Sequence, residues 1–212
     1  MSPQIPSVAG ARRTRGSTRT KMLESAAQLL RERGAAAVTV DEVLVRSGAP
    51  RGSVYHHFPE GRSQLLIEAL EYAGLEITAS IDEAAGESAA ALLRLFVQFW
   101  EHCLVDSDYQ AGCPVLAAAV GSGEDEQQLS TSAGEIFSRW RQASREAYLR
   151  EGFEAADATA LADTTISAME GAVVLCRSTR SLEPLHAVGQ QMEFLIKAKE
   201  FVAKFGVPAL NA

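Results

Sequence analysis

Residues 39–58 read TVDEVLVRSGAPRGSVYHHF, and this stretch constrains the chain more than any other. Thr39 is placed to cap a helix, with Glu42 three residues on completing a capping box. Val40, Val43 and Leu44 then fall on one inward face. Gly48 stops that helix, and Pro50, with its fixed φ and missing N–H, suits the first turn of another beginning nearby. In the second helix Val54 and Phe58 are the core positions, while Arg51, Gly52, Ser53, Tyr55 and His56 face outward. Two short helices joined by a glycine-containing turn make a helix-turn-helix, whose second helix fits a DNA major groove.

The outward residues carry the matching chemistry. The Arg51 guanidinium can pair with O6 and N7 of guanine, a bidentate contact that discriminates bases. Gly52 lets the backbone approach the duplex, with Ser53 beside it. Tyr55 and His56 can donate to phosphate oxygens, which sets register rather than sequence. Thr39 and Arg62 each stand at a helix N-terminus, where free amides and the positive dipole end favour a phosphate. The pair His56–His57 suggests a metal site, but adjacent helical residues diverge by about 100° and no third ligand lies near in sequence, so none is expected.

The overall charge of -7 argues against this reading until it is divided. Residues 1–62 hold 10 Lys/Arg against 5 Asp/Glu, a net +5, and residues 63–212 hold 10 against 22, a net -12. A basic first third on an acidic remainder fits a chain that meets phosphate at one end only.

The expected architecture is all-α with about nine helices. Residues 1–17 form a disordered basic arm with Arg12, Arg13 and Arg15. Residues 18–62 form the helix-turn-helix unit, whose first helix spans 18–33 and ends at Gly34. Residues 63–212 form a larger helical body. Its helices are expected at 63–84, ending at Gly86; at 88–105; from Pro114; at 127–150 after the acidic run GEDEQ; at 157–180; and from Pro184 onward. No strand-like alternation or internal repeat appears. No run of about 18 apolar residues and no signal-peptide pattern is present, so the expectation is a cytoplasmic protein without a membrane partner. Cys103, Cys113 and Cys176 lack any disulfide or metal spacing and read as buried fillers. The nearest approach to a catalytic pattern, Cys113 before Pro114 and the His102–Cys103 pair, lacks a base and an orienting group; no catalytic residue and no cofactor is expected.

In the helical body Phe96, Phe99, Trp100, Cys103, Tyr109, Phe137, Trp140 and Met169 supply aromatic and polarizable surface for a small-molecule pocket between helices, with plain core packing as the alternative. The last two helices carry Ala168, Gly171, Ala172 and Ala198 between larger apolar residues, which permits close helix approach across a two-fold axis and a homodimer. Such a dimer reads a pseudo-palindromic operator with half-sites about 34 Å apart or further.

The ordered set Val38-Thr39-Val40, Ser47-Gly48-Ala49 and Gly52-Ser53-Val54-Tyr55-His56-His57-Phe58, followed by Pro59 and Leu65, resembles the DNA-binding segment of TetR-family transcriptional regulators. HHFPEGRSQL and GCPVLAAAV are similar to the LmrA/YxaF-type branch. The resemblance implies an N-terminal DNA-binding domain and a C-terminal domain that binds an effector and dimerises. By position, Thr39, Arg51, Tyr55, His56 and Arg62 match family DNA contacts. It also implies a repressor released by a small apolar effector, planar and aromatic in this branch. The alternative is a repressor or activator of the same fold controlled by a protein partner. Ala49-Pro50 departs from the small polar N-cap of many members, and Gly61-Arg62 stands where many have lysine.

Overall fold

A side chain cannot easily follow the backbone through Gly34 and Gly48, with φ of 79° and 67°, and these two glycines cut the first third into helices. The computed structural model describes residues 17–121 and 127–206. Helix α1 (Thr18–Arg33) starts at Ser17, whose hydroxyl accepts from the Thr20 amide, and ends where the Gly34 amide donates to the Leu30 carbonyl. A short 3-10 turn, Ala35–Ala37, precedes α2 (Val40–Ser47). The regular part of α3 is Ser53–His57, later than the expected start near Pro50. Pro50 instead opens a turn closed by the Ser53 amide and hydroxyl, both donating to its carbonyl. Met22, Leu30, Val38, Val43, Val54, Phe58 and Leu65 meet in the core of this unit.

Helix α4 (Arg62–Glu87) starts in that core and runs into the acidic body. Gly86 does not end it. The break comes at Ser88, whose extended backbone and hydroxyl cap α5 (Ala89–Asp106). Then follow α6 (Pro114–Ala119), α7 (Gln127–Arg150), α8 (Ala155–Thr179) and α9 (Glu183–Phe205). Nine α-helices and no strand are present among the described residues. The expected arm lies outside the described residues apart from Ser17, as does the acidic run apart from Gln127.

Helix α4 packs most extensively on α7. Gly74 allows it, since a Cβ there would stand 2.8 Å from Ile136. Four residues further, Thr78 accepts a 2.8 Å hydrogen bond from the buried Trp140 indole. Helix α8 lies between α7 and α9. By length and composition it is apolar enough to cross a membrane, but half of its most apolar stretch is buried in this fold. Its Thr165 shares a 2.8 Å hydrogen bond with the Tyr148 hydroxyl, which fixes α8 against α7.

Candidate DNA interface and effector cleft

The sequence brings five outward residues to one corner of the small unit. Arg51 has a 90% exposed side chain, and only a loose 4.0 Å approach to Asp41 restrains it. Tyr55 and His56 are exposed, and the Tyr55 ring borders Gly61, where a Cβ would stand 3.7 Å from Cε1. Gly52 has an ordinary φ of -73°, and a Cβ there would meet nothing within 4 Å. Neither backbone geometry nor internal packing therefore requires glycine at this position. Ser53 is different, because its hydroxyl is spent on the Pro50 carbonyl at 2.6 Å.

Thr39 caps α2 as expected, its Oγ1 accepting from the Glu42 amide at 3.2 Å. Glu42 turns its carboxylate to Arg33 at 2.7 Å, so the capping box is not closed from its side. Arg62, expected to clamp a phosphate, makes contacts within the protein. Its Nε donates to the Val38 carbonyl at 2.7 Å and its Nη2 to the Ala35 carbonyl at 2.6 Å. The guanidinium fork thus fastens the start of α4 to the turn between α1 and α2.

In the body a cleft of about 960 Å³ opens along α8, walled by Leu116 of α6, Phe137 and Arg141 of α7, and Asp163, Ile166 and Glu170 of α8. Arg141 Nε donates to Asp163 Oδ1 across it. Glu170 is 8% exposed. Burial pushes its carboxyl up to about 7, against the Cys113 thiol, whose hydrogen bond to it acts to lower the value. Further along α8, Arg177 Nη2 donates to the Glu32 carbonyl at the end of α1 (3.0 Å) and to the Gln110 carbonyl (2.6 Å). The Gly112 amide donates to the Arg31 carbonyl at 2.9 Å. The cleft helix and the loop before α6 therefore both hold the C-terminal end of α1.

Residues 22–69 match the family model "Bacterial regulatory proteins, tetR family", and residues 89–191 match "Transcriptional regulator LmrA/YxaF-like, C-terminal domain". An HTH-type transcriptional regulator of Mycobacterium tuberculosis, Rv0196, is 39% identical over 85% of this chain and 95% of its own length. The chain belongs to the TetR family of transcriptional regulators. LmrA of Bacillus subtilis is 30% identical over 86% of this chain and 98% of its own. A TetR regulatory protein from Rhodobacter sphaeroides superposes with a TM-score of 0.72 at 24% identity, covering 84% of this chain and 97% of that one, which shows the shared fold.

Within this TetR-family body the eight residues expected at a pocket are not gathered together. Phe137 lies on the wall of the cleft. Tyr109 borders a separate depression of about 420 Å³ with Glu32 and Arg177. Phe96, Phe99, Trp100, Cys103, Trp140 and Met169 are buried in the general core, where Phe99 and Trp100 pack edge to face. The cleft instead uses residues passed over in sequence, above all Arg141, Asp163 and Glu170. Glu170 did leave a signal, as a lone acid inside the apolar run SAMEGAVVLC. The three thiols are buried, and burial pushes Cys103 up to about 11 and Cys113 and Cys176 upward as well. His102 pairs with Asp106 at 3.1 Å, and among the described residues no hydrogen bond joins it to the buried Cys103 thiol.

Proposed function

We propose that this TetR-family DNA-binding regulator is a homodimeric repressor, released from a pseudo-palindromic operator when a small apolar or aromatic effector enters the α6–α7–α8 cleft. Residues 18–62 carry the DNA-reading unit and residues 63–212 the effector and dimer functions. Arg51 reads a base edge, Gly52 admits the duplex, and Thr39, Tyr55 and His56 hold phosphates. Ser53 shapes the turn before α3, and Arg62 holds that unit on α4 from behind.

Dimer formation is supported by apolar surface that the single chain leaves open. Phe194, Phe201 and Phe205 on α9 are each more than half exposed, as is Leu175 on α8, which also lines the cleft. The three phenylalanines recur at seven and four residues, one stripe along the last helix, which a second copy would cover to form a four-helix bundle.

The observation that carries the release mechanism is that α8 both lines the cleft and grips the end of α1 through Arg177. An effector that binds one arrangement of α8 more tightly shifts the population toward it, and the two recognition helices then no longer match the groove spacing. Selecting bound sequences from random DNA with the purified protein tests this. A two-fold symmetric consensus is expected, and titrating apolar aromatic compounds into that complex should release it. An asymmetric consensus, or no release by any compound that binds the cleft, would overturn the reading.

A further inference from the structure

We propose that the cleft selects a positively charged effector: a flat apolar molecule with one protonated nitrogen that donates to Glu170 Oε2. The inference rests on the effector-released reading above and adds to it the chemistry of the ligand.

Glu170 Oε2 is the one buried side-chain nitrogen or oxygen without a hydrogen-bond partner among the described residues. Buried polar atoms are otherwise almost always paired, so an orphan acceptor on a residue that lines the cleft is the group a donor entering from outside would satisfy. The Cys113 thiol at the N-terminus of α6 also interacts with this carboxyl group. A thiol is a weak donor and brings no charge, so it leaves the buried carboxylate uncompensated.

The rest of the lining does not compensate it either. Among the described residues Arg141 is the sole cation lining the cleft, and its guanidinium is committed to Asp163. One cation against two carboxyl groups leaves Glu170, once ionised, with an unmatched negative charge. An anionic ligand would add a second one in a low-dielectric site, and a neutral hydrocarbon would leave Oε2 as orphaned as before. A protonated nitrogen supplies the missing donor and the missing charge together. Leu116, Ile166 and the half-buried Phe137 ring provide the apolar walls for the remainder of the molecule, and an aromatic face tolerates a nearby cation.

Three ring-matched probes separate these chemistries when titrated by fluorescence into the full-length protein at about pH 8, where Glu170 is mainly ionised. They are 9-aminoacridine as the cation, acridine as the neutral ring and anthracene-9-carboxylate as the anion. The wild-type protein should bind the cation about tenfold or more tighter than acridine, and the anion least. Glu170→Gln, nearly isosteric, should remove that preference while leaving acridine affinity within about threefold, as loss of a charge pair but not of the apolar walls requires. Ile166→Trp, which fills the cleft, should weaken all three probes. Equal binding of cation and neutral ring, a preference that survives Glu170→Gln, undiminished binding to Ile166→Trp, or no binding of any probe would each overturn the proposal. Acridine that binds and releases operator DNA without any cation preference would sink this inference alone and leave the repressor reading standing.

Discussion

Replacing Glu170 by glutamine should change how stability depends on pH as well as which ligands bind. The folded-state carboxyl titrates at about 7, against an ordinary value of 4.5, because burial disfavours its charged form. Between those values the folded chain holds a proton that the unfolded chain has released, so stability falls as pH rises through this window. Below it both states are protonated and the penalty vanishes; above about 7 it is present in full. At 1.36 kcal/mol per pH unit the full penalty is roughly 3 kcal/mol. Glutamine cannot ionise and so lacks it. Urea unfolding of both proteins, followed through the buried Trp100 and Trp140 at one fixed protein concentration, measures the difference. Whatever constant offset the amide introduces, Glu170→Gln should gain roughly 2 kcal/mol or more on the wild type between about pH 5 and pH 8. Stability curves that run parallel across this range would show that Glu170 is not held in a desolvating environment, and the unmatched-charge argument would fall with it.

Gly52→Ala should leave thermal stability unchanged or slightly raised, since an ordinary φ and open space meet the new methyl, yet weaken operator binding about tenfold in fluorescence anisotropy by holding the backbone off the duplex. Arg62→Ala should lower unfolding free energy by roughly 2–4 kcal/mol, because two hydrogen bonds from a charged donor to the Val38 and Ala35 carbonyls are lost; a salt dependence of residual DNA binding unchanged from wild type would separate this bracing role from direct phosphate contact. Phe201→Asp should convert the dimer to monomer at micromolar concentration in sedimentation analysis, and a dimer that survives would place the interface elsewhere. Arg177→Ala should bind effector as wild type does while releasing DNA less completely, and a full response would remove α8's grip on α1 from the mechanism.

The helices were legible where local signals settle them. Thr39, Gly34 and Gly48 act through their own backbone and nearest neighbours, so α1 and α2 stand where spacing puts them. Gly86 misled for the converse reason: glycine weakens a helix without ending one, and the stop needed the extended backbone at Ser88. The outward face of α3 was readable because exposed polar residues beside two fixed core positions, Val54 and Phe58, have nowhere else to point. The bracing contacts of Arg62 were not, because they depend on two carbonyls more than twenty residues earlier in the chain. The cleft was hardest to foresee. Aromatic residues at helical spacing fill a core as readily as they line a pocket, and Trp100 and Trp140 went to the core. What distinguishes the cleft is a burial mismatch at Glu170, a property of three packed helices rather than of any one stretch.

In the proposed mechanism helix α8 carries three tasks. Glu170 and Leu175 both line the cleft, Leu175 where it opens toward the surface offered to a second copy, and Arg177 holds the end of α1. Glu170 and Arg177 are seven residues apart, two helical turns or roughly 10 Å. Between them the helix is continuous, with Ala172, Val173 and Cys176 buried, so a displacement at one end is not absorbed before it reaches the other. The receiving side is equally confined. A Cβ on Gly112 would stand 2.8 Å from Arg177 Nη1, so the guanidinium is hemmed in between this loop and α1. A small shift of α8 must therefore either move α1 with it or break the Arg177 hydrogen bonds, and both outcomes alter how the recognition unit sits on the body. In the proposed dimer a two-fold interface built on the same helix would couple that shift to its copy, and one charged group in one cleft would then bear on the spacing of both recognition helices.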